Sequence, residues 1–96
     1  MNDKRYREFL EGEGITKTAI SLRISEANRV EGEFNADLDR VVQNQTEMIK
    51  LRQRIYEKYG DKKSANLYNA VKRYYKCVNG IEMETITQLR TRKDKK

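Results

Sequence analysis

The sequence predicts an all-α protein, a compact bundle of four to five short helices. Proline is absent from all 96 residues, and 38% of them are charged, as is common in small helical proteins with much solvated surface. Apolar residues recur every three or four positions, and glycines at positions 12, 14, 60 and 80 follow these stripes where helices usually end. The length suits one domain.

The first predicted helix lies in "KRYREFLEGEG", where Tyr6, Phe9 and Leu10 have helical spacing. Gly12 and Gly14 interrupt that spacing, so we expect the helix to end there.

The second helix is expected to begin after Thr16, which is a good N-cap residue. Ile15 and Ile20 are placed to form a hydrophobic staple across this cap. The apolar stripe that follows consists of Ile20, Ile24, Ala27, Val30 and Phe34. Charged residues at 23, 26, 29 and 33 fall on other faces, where we expect weak pairing within the helix.

Two further segments complete the middle of the chain. "NADLDRVVQ" predicts a short helix with Asp37 or Asn35 as its cap. "NQTEMIKLRQRIYEKYG" begins with Asn44 and Glu47 at the spacing of a capping box. Its apolar face is formed by Met48, Leu51, Ile55 and Tyr59, and we expect Gly60 to end the helix in the left-handed conformation.

The last strong helix is "LYNAVKRYYKCVNG", with Asp61 or Ser64 as its cap. Its predicted core stripe consists of Leu67, Ala70, Val71, Tyr74 and Val78. Asn79 and Gly80 are expected to end it, and Ile81 to fold back onto its last turn. Residues 1–81 are therefore expected to form the domain, and 82–96 an irregular segment with a mobile basic tail that serves as a linker.

These stripes are expected to converge on a single core. Its predicted members are Phe9, Leu10, Ile20, Ile24, Phe34, Leu38, Leu51, Ile55, Leu67, Val71 and Tyr74.

Charge divides the chain into two unlike halves. Residues 1–49 carry seven Lys/Arg and ten Asp/Glu, whereas residues 50–96 carry fourteen Lys/Arg and five Asp/Glu. The net charge is therefore −3 in the first half and +9 in the second. Such asymmetry predicts a polyanionic partner for the second half, with a merely solvated basic surface as the alternative.

Several chemistries are excluded or disfavoured by composition. There is no histidine, which is the commonest general base and metal ligand, and the one cysteine, Cys77, cannot form an internal disulfide. No glycine-rich phosphate loop is present. Asp37 and Asp39 are better explained by helix capping than by metal binding. We expect no enzymatic activity, no metal and no cofactor in this chain.

Localisation is expected to be cytoplasmic. The sequence has no apolar run long enough to span a bilayer and no signal-peptide pattern, so no membrane association is expected. The single cysteine agrees with a reducing compartment.

Two sets of residues are candidates for contact with DNA. A last helix that packs Leu67, Val71 and Tyr74 inward turns another face outward, and we expect Tyr75 beside that face. Lysine, arginine and asparagine there can contact phosphates and base edges, while hydroxyls and amides at the start of the second helix suit phosphate oxygens. The candidates are Asn69, Lys72, Arg73 and Lys76 on the last helix, and Thr16, Lys17 and Thr18 on the second.

Two stretches in this order resemble a known family. "FLEGEGITKTAISLRISEANRVEGEF" is similar to the opening of the N-terminal core-binding domain of tyrosine recombinases, the phage-integrase family, with Phe9-Leu10, Gly14, Thr16 and Thr18 in the family's places. "NAVKRYYKCVNG" is similar to that domain's closing helix. Its matching positions are Ala70, Val71, Lys72, Tyr74, Tyr75 and Val78. The resemblance covers about residues 6–80 and rests mainly on the order and separation of the two motifs.

The resemblance implies a SAM-like helical arrangement and a function. In the family this domain clamps double-stranded DNA opposite a separate catalytic domain, which supplies an Arg/His/Tyr constellation that this chain lacks. The implied partners are therefore duplex DNA and a catalytic domain in a longer parent chain, with the isolated module a monomer. The alternative is a helical protein-interaction domain of a phage, plasmid or bacterial accessory protein, which would use the apolar surface around Ile81, Met83 and Ile86.

Overall fold

The computed structural model describes residues 1–81, which contain helices and no strand. The order is α1 (Asp3–Gly12), α2 (Lys17–Glu33), α3 (Leu38–Val41) and α4 (Gln45–Asn79). The predicted all-α class is confirmed over these residues. The irregular segment and basic tail predicted for 82–96 lie outside the described residues. No helix within 1–81 is long and apolar enough to cross a membrane.

Each helix begins at a polar side chain that accepts a hydrogen bond from a free backbone N–H of the first turn. The capping side chains and their donors are Asn2 with the N–H of Arg5, Thr16 with Ala19, Asp37 with Asp39, and Asn44 with Thr46 and Glu47. The predicted caps Thr16 and Asn44 are confirmed. Of the two candidates for α3 the cap is Asp37, while Asn35 adopts a positive φ of 49° in the preceding turn.

Gly60 interrupts the helical backbone where the sequence predicted an end, but α4 continues beyond it. Its φ of 75° is positive, but its ψ of −168° is extended and not left-handed helical. Helical backbone resumes at the next residue, so α4 consists of two helical segments, 45–59 and 61–79, joined at one bend. Only glycine occupies this backbone region readily, because a Cβ would clash with its own backbone. Among the described residues the bundle therefore has three helices and one long, bent helix.

α4 packs against each of the other three helices and forms the spine of the core. All the predicted core residues are buried except Phe9, which is half-buried at the edge. Further buried residues on the predicted apolar faces are Tyr6, Ala27, Val30, Val42, Met48 and Ala70. Tyr68 and Tyr75 are buried as well, although they lie outside the predicted stripes.

Two buried tyrosines fix the second segment of α4 against α1 and α3. The rings of Tyr6 and Tyr74 lie 5.2 Å apart at 56°. The hydroxyl of Tyr6 donates to the carbonyl of Ala70 at 2.6 Å. The hydroxyl of Tyr74 accepts from the N–H of Asn2 at 3.0 Å and donates to the Asp39 carboxylate. These bonds satisfy hydroxyls that burial removes from water, and burial raises the pKa of Tyr74 to about 12.

α4 ends at Asn79 and Gly80 as predicted, but the position of Ile81 differs from the prediction. Gly80 adopts the left-handed conformation, with φ 76° and ψ 0°, and its N–H donates to the carbonyl of Lys76 at 2.8 Å. Ile81 is 63% exposed, so its predicted packing onto the last turn is wrong. The amide of Asn79 instead joins the last turn to the α3 region, donating to the carbonyls of Val42 and Tyr75 at 2.9 and 3.0 Å.

Candidate nucleic-acid interface

The outer side of α4 carries the four candidate residues predicted for the last helix, and we call this set the basic face: Asn69, Lys72, Arg73 and Lys76. Their spacing of three, four and seven residues places them on one side of a helix. Leu67, Val71 and Tyr74 are buried on the opposite side, as predicted. Lys72 and Arg73 are exposed, whereas Asn69 and Lys76 are half-buried.

Tyr75 was expected beside the basic face and is instead 6% exposed. It lies two turns from Tyr68, on the same side of the helix, and Tyr68 is also buried, at 8%. The buried sector of segment 61–79 is therefore wider than the predicted stripe and reaches residues next to the basic face.

An ion pair brings the turn between α1 and α2 to one end of the basic face. The ammonium nitrogen of Lys76 lies 3.0 Å from Oε1 of Glu13, and Glu13 precedes Thr16 by only three residues. The two predicted sets of candidates therefore share one end of the molecule. Glu13 also places a carboxylate there, which offsets part of the positive charge of Lys76.

The start of α2 has the polarity that an anion requires. The Oγ1 of Thr16 accepts from the N–H of Ala19 at 3.3 Å, and its own O–H can still donate. Lys17 and Thr18 are exposed in the first turn, and that turn contains no acidic residue. The partial positive charge at this helix end is therefore not offset by a carboxylate of its own first turn.

Arg73 lies on the α1 side of the basic face. Burial raises the pKa of the Tyr6 phenol well above its ordinary value, and the positive charges of Arg23 and Arg73 nearby reduce that rise. Arg23 comes from α2 and also contacts Glu26 at 3.4 Å, which confirms the predicted pairing within that helix. Arg23 lies 17 residues along the chain from Tyr6, so sequence spacing alone gave no sign of its effect on that phenol.

Lys72 lies on the other side of the basic face, above a second aromatic ring. Its ammonium nitrogen is 5.8 Å from the centroid of Tyr68, and the guanidinium of Arg52 is 5.9 Å from the same centroid. Arg52 belongs to segment 45–59, and the sequence gave no reason to place it beside Lys72. The bend at Gly60 decides how these two segments face each other.

The acidic residues of α2 are engaged in internal pairs. Glu31 accepts from the N–H of Leu38 at 3.0 Å and from the amino group of Met1 at 2.8 Å. Glu33 pairs with Arg29 at 2.7 Å and with Lys58 at 3.2 Å. Their negative charge is thus offset by cations away from the basic face.

The basic residues of α4 fall into two groups. Lys50, Lys58 and Lys76 lie within 4 Å of a carboxylate. Within residues 1–81, the other basic residues of α4 form no ion pair, namely Arg52, Arg54, Lys62, Lys63, Lys72 and Arg73. Arg54 donates to the carbonyl of Phe34, and the charge of the others is available to an anionic partner.

The described residues around this face offer no cluster of metal ligands. Over residues 1–81, no group of three or more His, Cys, Asp or Glu residues is placed to hold a metal ion. The expectation that the chain is not an enzyme stays a prediction. Protein-family models, curated proteins and solved structures give no match to this chain.

Proposed function

We propose that this chain is a DNA-binding helical module that contacts duplex DNA through the basic face of α4 and the start of α2. The observation that carries the proposal is the pair of exposed cations Lys72 and Arg73, on the outer side of a helix whose inner side is core. They form no ion pair within the described residues. Cations without carboxylate partners contribute most to phosphate binding, because no internal pair has to be broken first.

The residues of the interface contribute unequally. Lys72 and Arg73 supply charge to phosphates, whereas Lys76 contributes less because Glu13 lies 3.0 Å from it. Asn69 and Arg73 have the side-chain amide and guanidinium that also contact base edges. Thr16, Lys17 and Thr18 offer a hydroxyl, an ammonium and helix-terminal N–H groups to a phosphate next to the basic face.

The biological setting proposed is site-specific recombination. The support for it is the resemblance of two motifs, carried by Phe9-Leu10 with Thr16 and by Ala70 with Tyr74, to the core-binding domain of phage integrases. In that setting the chain binds one side of the duplex, and a catalytic domain in a longer parent chain supplies the reaction. A half-clamp of this kind binds weakly by itself, with a dissociation constant in the micromolar range or weaker for non-specific DNA.

The test is duplex binding by the triple variant Lys72→Ala, Arg73→Ala and Lys76→Ala, measured by fluorescence anisotropy over a range of salt concentrations. The matched control is the triple variant Lys4→Ala, Arg7→Ala and Lys50→Ala. It also removes three positive charges, but from exposed positions outside the basic face. Circular dichroism verifies that both variants keep the parental helix content. We expect the first variant to lose most of its affinity for duplex DNA at about 50 mM salt. Its plot of log K against log salt should be shallower than that of the parent, with a slope smaller in magnitude by about 2 to 3.

Two results would overturn the proposal. One is equal weakening by both triple variants, which would mean that only overall charge matters. The other is a parent protein that shows no amide shifts at residues 69–76 when duplex DNA is added. Binding of a protein partner by the surface around Ile81, which is 63% exposed, would then be the remaining candidate.

A further inference from the structure

The bend at Gly60 creates a groove between the two segments of α4, which we call the bend groove. Its volume is about 240 Å³. Segment 45–59 lines it with Arg52 and Tyr56, and segment 61–79 lines it with Asp61, Ser64, Ala65, Tyr68, Asn69 and Lys72. The groove exists because the backbone of Gly60, with φ 75° and ψ −168°, turns two faces of one helix toward each other.

Two cationic side chains lie near the same aromatic ring in this groove. Arg52 and Lys72 approach the ring of Tyr68 to 5.9 and 5.8 Å, one from each segment. Neither forms an ion pair within residues 1–81. The ring is 8% exposed, so it forms the floor of the groove, while the two cations are exposed beside it. An anion of the size of phosphate fits this arrangement by charge.

The remaining lining groups suit a flat, polar molecule better than a bare anion. Tyr56 is 47% exposed and provides a second, accessible ring. Asn69 has both an amide donor and an amide acceptor, and Asp61 supplies a carboxylate that accepts from amino groups and repels a lone phosphate. The groove is also several times larger than the roughly 30 Å³ that a single water occupies in the liquid.

We infer that the bend groove binds one nucleoside monophosphate unit, with its phosphate between Arg52 and Lys72 and its base against Tyr56, Asn69 and Asp61. This pairing of cations with an exposed ring is the chemistry by which proteins hold unpaired nucleotides. The unit comes either from a free nucleotide or from an unpaired stretch of a strand. The inference goes beyond duplex binding, although Lys72 and Asn69 belong to both surfaces, and it does not require duplex binding to occur.

The test follows backbone amides of the uniformly ¹⁵N-labelled chain by NMR while adenosine 5′-monophosphate is added. Adenosine, inorganic phosphate and a single-stranded oligodeoxyadenylate are each titrated in separate experiments, and the oligodeoxyadenylate is also added as a competitor. We expect adenosine 5′-monophosphate to shift the amides of Ala65 and Asn69, and to bind about tenfold more tightly than adenosine or phosphate alone. Competition by the oligodeoxyadenylate identifies a strand as a source of the unit, and its absence identifies the free nucleotide.

Two variants at exposed positions test the assigned contacts. Tyr56→Ala and Arg52→Gln are each expected to weaken binding of adenosine 5′-monophosphate about tenfold. The matched control Arg40→Gln, at an exposed position of α3, is expected to leave the binding unchanged. The inference is overturned if phosphate binds as tightly as the nucleotide, if the shifts lie away from the groove, or if neither variant weakens binding.

The outcome is separable from that of the proposed duplex function. If Arg52→Gln and Tyr56→Ala leave nucleotide binding intact while the Lys72/Arg73/Lys76 variant loses duplex DNA, the groove inference fails and the proposed function stands. If nucleotide binding maps to the groove while that triple variant binds duplex DNA as the parent does, the proposed function fails and the groove inference stands.

Discussion

The two segments of α4 both carry basic residues, but these residues differ in their contacts with the rest of the protein. In segment 45–59, Lys58 pairs with Glu33, and Arg54 donates to the carbonyl of Phe34 at 2.8 Å. In segment 61–79, Lys72 and Arg73 have no ion-pair partner within the described residues. Arg54 and Lys58 of the first segment therefore help to hold α2 in place, whereas Lys72 and Arg73 of the second remain available to a partner. A basic residue in a sequence is not by itself available for binding, because internal contacts decide which charges are already engaged.

The two segments also differ in how many side chains they bury. Segment 45–59 buries one narrow stripe of Met48, Leu51 and Ile55. Segment 61–79 buries a much broader sector, which includes two tyrosines outside the predicted stripe, Tyr68 and Tyr75. The second segment thus contributes more buried side chains to the core, while its outer side carries the basic face.

The largest expected effect is the loss of a core side chain from the second segment. Leu67 is 2% exposed, so Leu67→Ala removes buried apolar surface and leaves a cavity. We expect it to lower the free energy of unfolding by about 2–4 kcal/mol, measured by urea denaturation. The matched control is Leu22→Ala, because Leu22 is 56% exposed on α2 and should change stability by less than about 0.5 kcal/mol. Equal effects would mean that the segment is not packed as described.

The next effect concerns the residue that separates the segments. A Cβ at Gly60 would meet no atom within 4 Å, so the cost of Gly60→Ala comes from the backbone conformation alone. We expect destabilisation of about 1–3 kcal/mol, or a straighter α4 with the bend groove lost. Gly32→Ala is the control, since Gly32 lies within α2 with equally open space and should be neutral or slightly stabilising. Thermal unfolding of the two variants measures the difference.

The next prediction compares two arginines of the first segment, Arg54, which contacts Phe34, and Arg52, which forms no ion pair within the described residues. Arg54 donates to the Phe34 carbonyl and its guanidinium lies 5.5 Å from the centre of the Phe34 ring. Arg54→Ala is therefore expected to cost about 1 kcal/mol of stability, because a backbone acceptor loses its donor. Arg52→Ala should cost less than about 0.5 kcal/mol. Chemical denaturation that gave the reverse order would contradict the assignment of roles.

The smallest expected effect is a change in one pKa. The hydroxyl of Tyr59 donates to the Glu33 carboxylate, and with Arg29 and Lys58 nearby it lowers the pKa of Glu33 to about 2. A lowered pKa contributes stability above the unfolded value near 4.5, and that contribution is lost as the pH falls toward about 2. Tyr59→Phe should move the pKa of Glu33 upward, toward its ordinary value.

NMR titration of the side-chain carboxyl carbon measures this shift directly. Tyr56→Phe is the matched control, because Tyr56 lines the bend groove and the hydroxyl that donates to Glu33 belongs to Tyr59. If the pKa of Glu33 is unchanged in Tyr59→Phe, then Arg29 and Lys58 alone lower it and the hydrogen bond from Tyr59 does not contribute.

The sequence predicted most of the fold because the signals involved are local. Thr16 and Asn44 cap helices through bonds to residues two or three positions away, so neighbouring residues suffice to identify them. The stripe from Ile20 to Phe34 follows the helical period and was predicted to be buried for the same reason. Asn69, Lys72 and Arg73 were assigned to one outer face by elimination, once the core stripe was known.

The errors arose where two distant segments meet. Tyr75 was placed on the basic face because one stripe was expected, but α4 contacts more than one neighbouring helix and buries a wider sector. The pairing of Lys76 with Glu13 joins residues 63 positions apart, and no spacing rule predicts it.

The sequence by itself determined the helical class, the positions of the helix caps, the core stripes and the concentration of positive charge in the second half. These properties depend on residue type and on neighbours within one or two turns. Only the tertiary structure decided that α4 continues beyond Gly60 as one bent helix, that Arg52 and Lys72 share the ring of Tyr68, and which cations have internal partners. Those properties depend on the angle between segments, which is set when all the apolar stripes are buried together.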